Sequence, residues 1–535
     1  MKRLLALVLT MLLVFSCTAV AETPGYLNTE SEFPIVKTGE KIKLKVAVMP
    51  NVLDNIEKLW FWEYCRQVMN IDFEIVAFTS DVRDEKINLM FAADELPDMI
   101  LGCNFSVSEL VRYGQVEGQL LSLNNYLTEE YAPNILKTFE ERPEARSVVT
   151  ALDGNIYSLP CVNPALNIMG NMPGTFIDTK ALAETGMSIP TTLDELYEVL
   201  AKFKELHPKS IPLGGGKKVY EPVQLIWTAL GVTASSATEP GFKNGDVTVF
   251  CGDELYGEYL SYMHKLFENG LIDSDYYTVD STMVEGELAE NRILIYSNPV
   301  YNTLTDSWSD WEAMAPLTSQ FNDKQVWQGV SLCKPGAAVV SAKTQYPELC
   351  MRFLDFFFTP KGGIYAWTGP MMDSEDTLGM VCGWYGNEQV PDVENGKFGS
   401  AWEYIVYQVS PFNPNRPGTK AGEVERIKFT DPDAEFSWDL DNPDNFYRAS
   451  KEKNEYPYLV EAYPTIYFDD ATQQRISELK LVIDDFVNTE SAKYITGVNS
   501  LDNLDAYYEQ LKKMGYDEYL GYYVDAYKTY QANME

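Results

Sequence analysis

Histidine is scarce in this chain, with only His207 and His264 among 535 residues. Histidine-based metal sites and Ser-His or Cys-His catalysis depend on imidazole groups, so two histidines offer little material for either. The eight cysteines form no C-x-x-C pair. We therefore expect no metal, no cofactor and no full disulfide framework, and we expect most cysteines to be buried apolar residues.

Positive charge is also in short supply, with 42 lysines and arginines against 79 acidic residues and a formal net charge of -37. Nucleic acids and anionic membrane surfaces would be repelled at long range by such a chain. Nucleic acid is therefore not an expected partner, and the surplus of carboxylates is interpreted as an aid to solubility.

Long apolar runs are missing beyond the first residues. Residues 4–15 are apolar, follow two basic residues and are too short to span a bilayer, which is typical of an export signal. Two processing routes remain open: cleavage after a signal peptide of residues 1–21, or lipidation of Cys17, because residues 14–17 (VFSC) resemble a lipobox. Both routes place the mature chain outside the cytoplasmic membrane, either released or lipid-anchored.

Alternating apolar and polar residues predict a strand over residues 42–48. Further strands are predicted at 71–76 and 96–101, with helices at 54–69 and 84–93 between them. The order strand-helix-strand-helix-strand indicates right-handed crossovers and a parallel sheet.

Polar loops follow two of these predicted strands. Ligands of open parallel sheets bind beyond the carboxyl ends of the strands, which here selects residues 50–54 and 102–106. We predict that Asn51, Asp54 and Asn104 bind a ligand there. The competing interpretation is that these residues only terminate strands.

Later segments contain more helices and a long irregular region. Thr192 and Glu195 form the capping-box pattern that opens a helix with an apolar face. Further helices are predicted at residues 224–230, 256–268, 346–358, 504–514 and 518–530. Residues 372–454 are rich in Gly, Pro, Asn and acidic residues, which predicts long loops.

Several phrases occur in a fixed order along the chain: residues 95–100 (ELPDMI), 118–126 (GQLLSLNNY), 153–160 (DGNIYSLP), 190–196 (PTTLDEL) and 507–520 (YYEQLKKMGYDEYL). Together they resemble the family 1 extracellular solute-binding proteins of ABC transporters. The last phrase resembles the carboxyl end of the large lipoprotein branch described as LipO- or YtcQ-like. The resemblance covers nearly the whole mature chain.

This resemblance implies an α/β, two-lobed periplasmic-binding-protein-like fold of type II. Each lobe would be a mainly parallel sheet flanked by helices, with hinge crossovers between the lobes. Lobe 1 is expected at residues 40–163 plus about 300–365, and lobe 2 at 164–299 plus about 366–535 with the carboxyl-terminal helices. The resemblance also implies that the lobes close on a carbohydrate, expected to be an oligosaccharide, and deliver it to ABC permease subunits. We expect a monomer.

One departure from the family concerns calcium. Relatives often carry a D-x-N-x-N-G loop after the capping-box helix, whereas residues 205–212 here read ELHPKSIP. That stretch lacks the carboxylates that a hard cation needs, so we predict no calcium there.

A sugar presents a ring of hydroxyls and apolar C–H faces, so its site needs aromatic platforms beside polar side chains. Phe, Trp and Tyr make up 13% of the chain, and several stand in polar, loop-like sequence. A core position is the competing interpretation for each of them. The candidate aromatic ligands are Trp60, Trp62, Trp227, Tyr301, Trp308, Trp367 and Trp384.

Three classes of function remain open from the residues alone. A binding protein without turnover is favoured, and the chain is not expected to be an enzyme. An extracellular carbohydrase would need two carboxylates roughly 5–10 Å apart across a cleft, and the abundance of Asp and Glu leaves that alternative open. A peptide-binding or sensor protein of the same fold is the third class.

Overall fold

The computed structural model describes residues 23–163, 174–298, 300, 303–304, 306–329, 331–371, 374–380, 396–398, 401–412, 416–419, 440–441 and 443–534. Its strands are β1 Ile42–Val48, β2 Ile71–Ala77, β3 Met99–Leu101, β4 Leu159–Val162, β5 Phe176–Asp178, β6 Val232–Thr233, β7 Pro240–Lys243, β8 Asp246–Val249, β9 Ile295–Tyr296, β10 Trp311–Ala313, β11 Trp327–Gln328, β12 Cys333–Val340, β13 Gly418–Thr419 and β14 Leu459–Val460.

The α-helices lie between these strands and after the last of them. They are α1 Trp60–Tyr64, α2 Arg83–Ala92, α3 Val107–Leu110, α4 Pro133–Glu141, α5 Pro143–Ser147, α6 Thr179–Thr185, α7 Leu193–Leu206, α8 Val223–Ala229, α9 Leu255–Glu268, α10 Ser281–Ala289, α11 Pro347–Phe356, α12 Pro360–Tyr365, α13 Ala401–Tyr404, α14 Pro443–Asn454, α15 Asp470–Ile495, α16 Leu504–Lys513 and α17 Tyr516–Met534.

Lobe 1 is built on a six-stranded sheet in the order β13-β4-β12-β3-β1-β2. Strand β1 pairs in parallel with β2 and β3, as its alternating apolar and polar residues predict, because every second side chain is buried over its first half. Strand β12 runs antiparallel to both β3 and β4, and β13 is parallel to β4. The carboxyl ends of β1, β2, β3, β4 and β13 therefore share one edge with the amino end of β12.

Lobe 2 contains a three-stranded sheet in the order β10-β5-β9, and both of its pairings are antiparallel. The expectation of a mainly parallel sheet in each lobe is therefore wrong for lobe 2. Within the described residues, the only parallel pairing made by a strand of this sheet is a single bridge between Leu213 and Ile295 of β9. Strands this short give no periodicity from which pairing direction could be predicted.

Helices α7, α8, α9 and α15 supply half of the buried residues of the lobe 2 core. Helix α7 begins as predicted, because Thr192 Oγ1 accepts a hydrogen bond from the Glu195 backbone N–H. Glu195 does not complete the capping box on Thr192; its carboxylate accepts from the backbone and hydroxyl of Thr191 instead. The cap is nevertheless satisfied on both sides, which explains why this helix start was predictable.

Counted over the described strands and helices, the chain changes lobe three times. It leaves lobe 1 after β4 and enters lobe 2 before β5, returns between β11 and β12, and leaves again between β13 and α14. All three passages join lobe 1 at the edge where the carboxyl ends of its parallel strands lie. That edge therefore faces lobe 2.

The pairings correct the expected limits of the lobes in two stretches. Residues 311–328 belong to lobe 2, because β10 pairs with β5, and Trp327 of β11 lies in the lobe 2 core. Residues 404–412 and 416–419 belong to lobe 1, because Tyr404, Val409 and Phe412 join its core and β13 pairs with β4. Order along the chain does not reveal which of two sheets a short strand joins, and this is why the expected limits are wrong here.

Other differences concern helices. The helix predicted over 54–69 consists of a 3₁₀ turn, α1 and a π turn at Cys65–Met69. Helices α14 and α15 were not predicted, and α14 lies inside the stretch expected to be loops. The two carboxyl-terminal helices α16 and α17 are confirmed.

Six cysteines lie among the described residues, all of them are buried, and none forms a disulfide bond within those residues: Cys65, Cys103, Cys161, Cys251, Cys333 and Cys350. Their interpretation as small apolar residues is confirmed, and burial raises the pKa of the Cys103 thiol to about 12. Over the same described residues, no helix combines the length and apolar character needed to cross a bilayer.

Candidate functional site

The inter-lobe edge of lobe 1 carries the polar loops predicted from the sequence. Asn51 and Asp54 follow β1 and are exposed, and Asn104 follows the neighbouring strand β3 and is half-buried. Since β1 and β3 are parallel, their carboxyl ends bring these two loops to the same side of the sheet. The three predicted residues thus share the edge that faces lobe 2, and their contact with a ligand stays a prediction.

The loop after β3 is held rigidly. Asn104 has a left-handed backbone with φ 49°, and its carbonyl oxygen accepts a hydrogen bond from Arg83 Nη2. Gly336 of β12 also has positive φ, and a Cβ there would overlap the carbonyl oxygen of Phe105. Any side chain at this glycine would push the loop off the sheet, so the position of Asn104 depends on that close approach.

On lobe 2 the matching edge lies where the chain arrives from β4. Residues Gly174 and Thr175 precede β5, and Phe176 pairs with Tyr296 at the carboxyl end of β9. Ser297 follows directly, and its hydroxyl lies 3.3 Å from the hydroxyl of Thr175. Small hydroxyl side chains therefore line the point at which the first passage enters lobe 2.

A buried ion pair lies under this entry point. Lys451 and Glu455 are one turn apart on and just after α14, with Lys451 Nζ 3.6 Å from Glu455 Oε2 and both side chains almost fully buried. Glu455 Oε1 accepts a hydrogen bond from the Thr175 backbone N–H. A Cβ at Gly174 would come within 2.7 Å of that same oxygen. The carboxylate thus anchors the incoming chain to lobe 2.

Burial dominates the electrostatics of this pair. It raises the pKa of Glu455 to about 7, against the attraction of Lys451 and the Thr175 hydrogen bond. Burial also lowers the pKa of Lys451, although the neighbouring carboxylate favours its charged form. Each charge therefore depends on its partner, because an isolated ion in this position would lack solvent.

A cavity of about 270 Å³ lies on lobe 2 beside the same edge. The turn after Leu213 leads into it, since Leu213 is bridged in parallel to Ile295, and the Gly214 N–H donates to the Ile295 carbonyl. The Lys217 N–H donates to the Tyr276 carbonyl. The wall is aromatic and polar, with side chains that include Lys217, Glu221, Trp227, Ser235, Tyr256, Tyr259, Tyr276, Tyr277 and Asn488.

Glu221 is the central polar group of the cavity wall. Its Oε1 atom accepts hydrogen bonds from the Tyr276 hydroxyl at 2.6 Å and from Lys217 Nζ at 3.1 Å. Its Oε2 atom faces Lys217 Nζ at 3.4 Å. Burial and then the Glu221 charge hold the pKa of Tyr276 well above its usual range. The cavity therefore offers an oriented carboxylate and an ammonium next to aromatic rings, which suits a polyhydroxylated ligand.

The aromatic residues predicted to bind a ligand are scattered over the molecule. Trp60 and Trp62 have no exposed surface and lie in the lobe 1 core, so their assignment as ligand platforms is wrong. Both lie on α1, where four of five side chains are buried, and an apolar run this dense is packed on all sides. Trp60 Nε1 is satisfied by the carbonyl oxygen of Asp376.

The remaining candidates have different settings. Trp227 lines the lobe 2 cavity, with its ring packed against Phe250 and Tyr259. Trp367 is half-buried, and the Arg416 guanidinium lies over its ring at 5.1 Å. Trp308 is half-buried against Phe446, near the amino end of β10. A ligand role for these three stays a prediction, and Tyr301, Trp384 and Cys17 lie outside the described residues.

Sequence reasoning missed the polar residues of the cavity. The Gly214–Gly216 stretch resembles a phosphate loop only superficially, and the structure uses it as a tight turn, since a Cβ at Gly215 would overlap the Tyr220 carbonyl oxygen. The available signal was the position of this turn directly after the apolar residues Ile211–Leu213. Polar residues after such a strand are candidates for a ligand edge, as they were in lobe 1.

No group of three or more potential metal-ligating side chains was found among the described residues. In the region where relatives often carry a calcium loop, His207 Nε2 lies 3.0 Å from a Glu184 carboxylate oxygen. The absence of calcium there stays a prediction from the missing carboxylates.

Comparisons with known proteins agree with this architecture. A family model described as bacterial extracellular solute-binding protein matches residues 50–364. The chain is 23% identical to the fructooligosaccharide ABC transporter substrate-binding protein FusA of Streptococcus pneumoniae serotype 4, over 96% of this chain and 94% of that protein. It is 25% identical to the lipoprotein LipO of Bacillus subtilis, over 37% of this chain and 38% of that one.

Solved structures show the same fold. A solute-binding protein from Bifidobacterium longum infantis, described as HMO-binding and associated with an ABC transporter, aligns with a TM-score of 0.73 at 19% identity, over 92% of this chain and 99% of that chain. FusA in complex with kestose aligns with a TM-score of 0.72 at 20% identity, over 92% and 100%. Because the family model covers more than half of the sequence, this chain belongs to the bacterial extracellular solute-binding proteins.

Proposed function

We propose that this protein captures a neutral oligosaccharide between its two lobes and delivers it to the permease of an ABC importer. The observation that carries the proposal is the lobe 2 cavity, in which the Glu221 carboxylate and the Lys217 ammonium adjoin several aromatic rings at the inter-lobe edge. FusA is named for fructooligosaccharide and the Bifidobacterium protein is described as HMO-binding. Both similarities support a carbohydrate ligand.

The size of the cavity favours recognition of one sugar unit there. Its volume of about 270 Å³ is slightly below the roughly 300–1,000 Å³ of pockets that hold drug-sized ligands. One ring of an oligosaccharide would occupy the cavity, and the rest would lie along the edge near Asn51 and Asn104. Lobe closure on the bound chain would then distinguish the loaded protein from the empty one.

The charges near the site support a neutral ligand. Three cations near the two edges each have a carboxylate partner: Lys217 has Glu221, Lys451 has Glu455, and Arg83 has Glu109. A uronic-acid chain would need cations that are not already compensated, and it would also meet the field of a protein with net charge -37.

Calorimetric titration of the purified protein tests the ligand. We expect saturable binding of neutral oligosaccharides such as fructo-oligosaccharides, with no product formed during prolonged incubation. Galacturonate oligosaccharides of matched length should bind at least tenfold more weakly, and added salt should narrow that difference by screening. Equal or tighter binding of the acidic chains would contradict a neutral ligand, and cleavage of any bound sugar would favour the carbohydrase alternative.

Replacement of Glu221 by alanine tests the cavity. Hydrogen bonds to a charged group contribute about 1.5–3 kcal/mol, so we expect the Kd for the best oligosaccharide to rise about 10- to 100-fold. Glu221→Gln should lose less, because an amide oxygen still accepts hydrogen bonds. Glu509→Ala, an exposed carboxylate on α16, is the matched control and should bind normally. Unchanged binding by folded Glu221→Ala would remove the cavity from the proposed site.

The cellular setting completes the proposal. The predicted export signal and the family of the chain support a location on the outer face of the cytoplasmic membrane or outside the cell. The partial likeness to LipO supports a lipid anchor at Cys17 over simple release. Permease subunits would be the protein partner of a monomeric chain.

A further inference from the structure

One short segment of lobe 2 sends side chains into both lobes. Residues 461–469 join β14 to α15 and contain three aromatic residues, Tyr463, Tyr467 and Phe468. The Tyr463 hydroxyl donates to the Tyr523 carbonyl of α17 at 2.8 Å, and the Phe468 ring packs on Tyr523. Those two side chains attach the segment to lobe 2.

Tyr467, in the same segment, points the other way. It is 93% buried, at 7% exposure, among lobe 1 residues that include Ala151 and Tyr157. Its hydroxyl donates a hydrogen bond to the carbonyl oxygen of Val148, just after α5. Within one short segment, Tyr463 and Phe468 therefore contact lobe 2, whereas Tyr467 contacts lobe 1.

We propose that Tyr467 is a clasp that restrains how the two lobes are oriented relative to each other. The three chain passages connect the lobes covalently, and Tyr467 adds a side-chain contact between the lobe 2 segment and lobe 1. A buried aromatic ring cannot leave its site without exposing apolar surface and an unpaired carbonyl, so rotation of the lobes about the passages is limited while it is seated.

This role does not depend on the identity of the ligand, so it is tested without ligand. Cysteines are introduced at Leu89 on lobe 1 and Val498 on lobe 2, which are 60% and 73% exposed. The native cysteines of the described residues are buried, and the parent without added cysteines provides the labelling blank. Spin labels on the pair then report the distribution of inter-lobe distances by pulsed electron resonance.

Tyr467→Ala is expected to broaden this distribution or to give it a second maximum. A tenfold change in the equilibrium between lobe orientations would bring a state populated at about 5% to about a third of the molecules. Tyr463→Ala is the matched control, because it removes the same type of side chain from the same segment. The Tyr463 hydroxyl also donates to a backbone carbonyl, but that carbonyl belongs to lobe 2. The distribution of Tyr463→Ala should match that of the parent.

Two outcomes would overturn the clasp: an unchanged distribution in folded Tyr467→Ala, or an equal broadening in Tyr463→Ala. If Tyr467→Ala does not fold, Tyr467→Leu and Tyr463→Leu form the deciding pair, since leucine keeps apolar contact but loses the ring and the hydrogen bond. Absence of sugar binding by the parent protein would count against the proposed function, whereas an unchanged distance distribution in Tyr467→Ala would refute the clasp whether or not the protein binds sugar. A broadened distribution in a chain that binds no sugar would support the clasp alone.

Discussion

Trp62→Ala is expected to lower the free energy of unfolding by about 3–5 kcal/mol, as large-to-small changes at fully buried aromatic residues do. The Trp62 ring has no exposed surface, and its centroid lies 5.0 Å from Phe73 and 6.3 Å from Phe412. Phe73 belongs to β2 and Phe412 follows α13, far along the chain. Because the two neighbours belong to separate segments, one local shift cannot fill the cavity left by alanine. Denaturant unfolding followed by circular dichroism measures the loss.

The same variant distinguishes a core residue from a sugar platform. Folded Trp62→Ala should bind oligosaccharide within about threefold of the parent, since roughly 0.6 kcal/mol covers that range. Trp308→Ala is the control for stability alone, because its half-buried ring packs against Phe446 and should contribute less to the free energy of unfolding. A small loss of stability together with a tenfold loss of affinity in Trp62→Ala would restore the ligand role.

Lys451→Met is expected to destabilise the protein by about 3 kcal/mol at pH 8.5, since it leaves the buried Glu455 carboxylate without its cation. The effect should depend on pH. A carboxyl whose folded pKa lies above its unfolded value binds extra protons when folded, so its contribution to stability is present at low pH and is lost as pH rises. The folded pKa of Glu455 is about 7 with Lys451 present and should be higher without it. The loss should therefore be small at pH 5 and grow from pH 7 to 9.

Two further variants check this assignment. Lys453 is an exposed lysine on the same helix as Lys451, and it pairs with Glu312 of β10. Lys453→Met should change the free energy of unfolding little at any pH. Adding Glu455→Leu to Lys451→Met should recover most of the lost stability, because replacing a whole buried pair by apolar residues is often neutral. A loss that is the same at pH 5 and pH 9 would mean that Lys451 matters for packing rather than for charge.

The ion pair also connects stability with function. Glu455 holds the backbone of Thr175 at the point where the first passage enters lobe 2. Weakening that anchor would loosen the lobe 2 side of the inter-lobe edge, while Tyr467 acts on the lobe 1 side. The two devices are separate, because one lies at the amino end of β5 and the other in the segment before α15.

Some of the fold could be predicted because its signals are local. The alternation over β1 and the buried run of β3 predicted parallel strands and the loops at their carboxyl ends. Helix α15 escaped prediction although Ile476, Leu479 and Ile483 have helical spacing, because the exposed Leu481 and Val482 blur the apolar stripe. Local periodicity fails wherever apolar residues stand on both faces of an element.

The residues of the candidate site likewise fall into those that local sequence reveals and those that it does not. Asn51 and Asn104 were found because a strand end is visible in sequence, whereas Trp60 and Trp62 were misplaced because polar neighbours do not reveal whether a ring faces solvent or core. Glu221 could not be singled out, since 79 acidic residues compete and only its contacts with Lys217 and Tyr276 set it apart.

Composition and ordered phrases were enough to predict the export signal and to identify the solute-binding family, because both depend on residue type and short-range order. The tertiary structure decided which strands belong to which lobe, which aromatic rings are buried and which carboxylates are paired. Those properties arise from contacts between residues hundreds of positions apart, such as Tyr467 with Val148, and free energies of burial and ion pairing depend on such contacts.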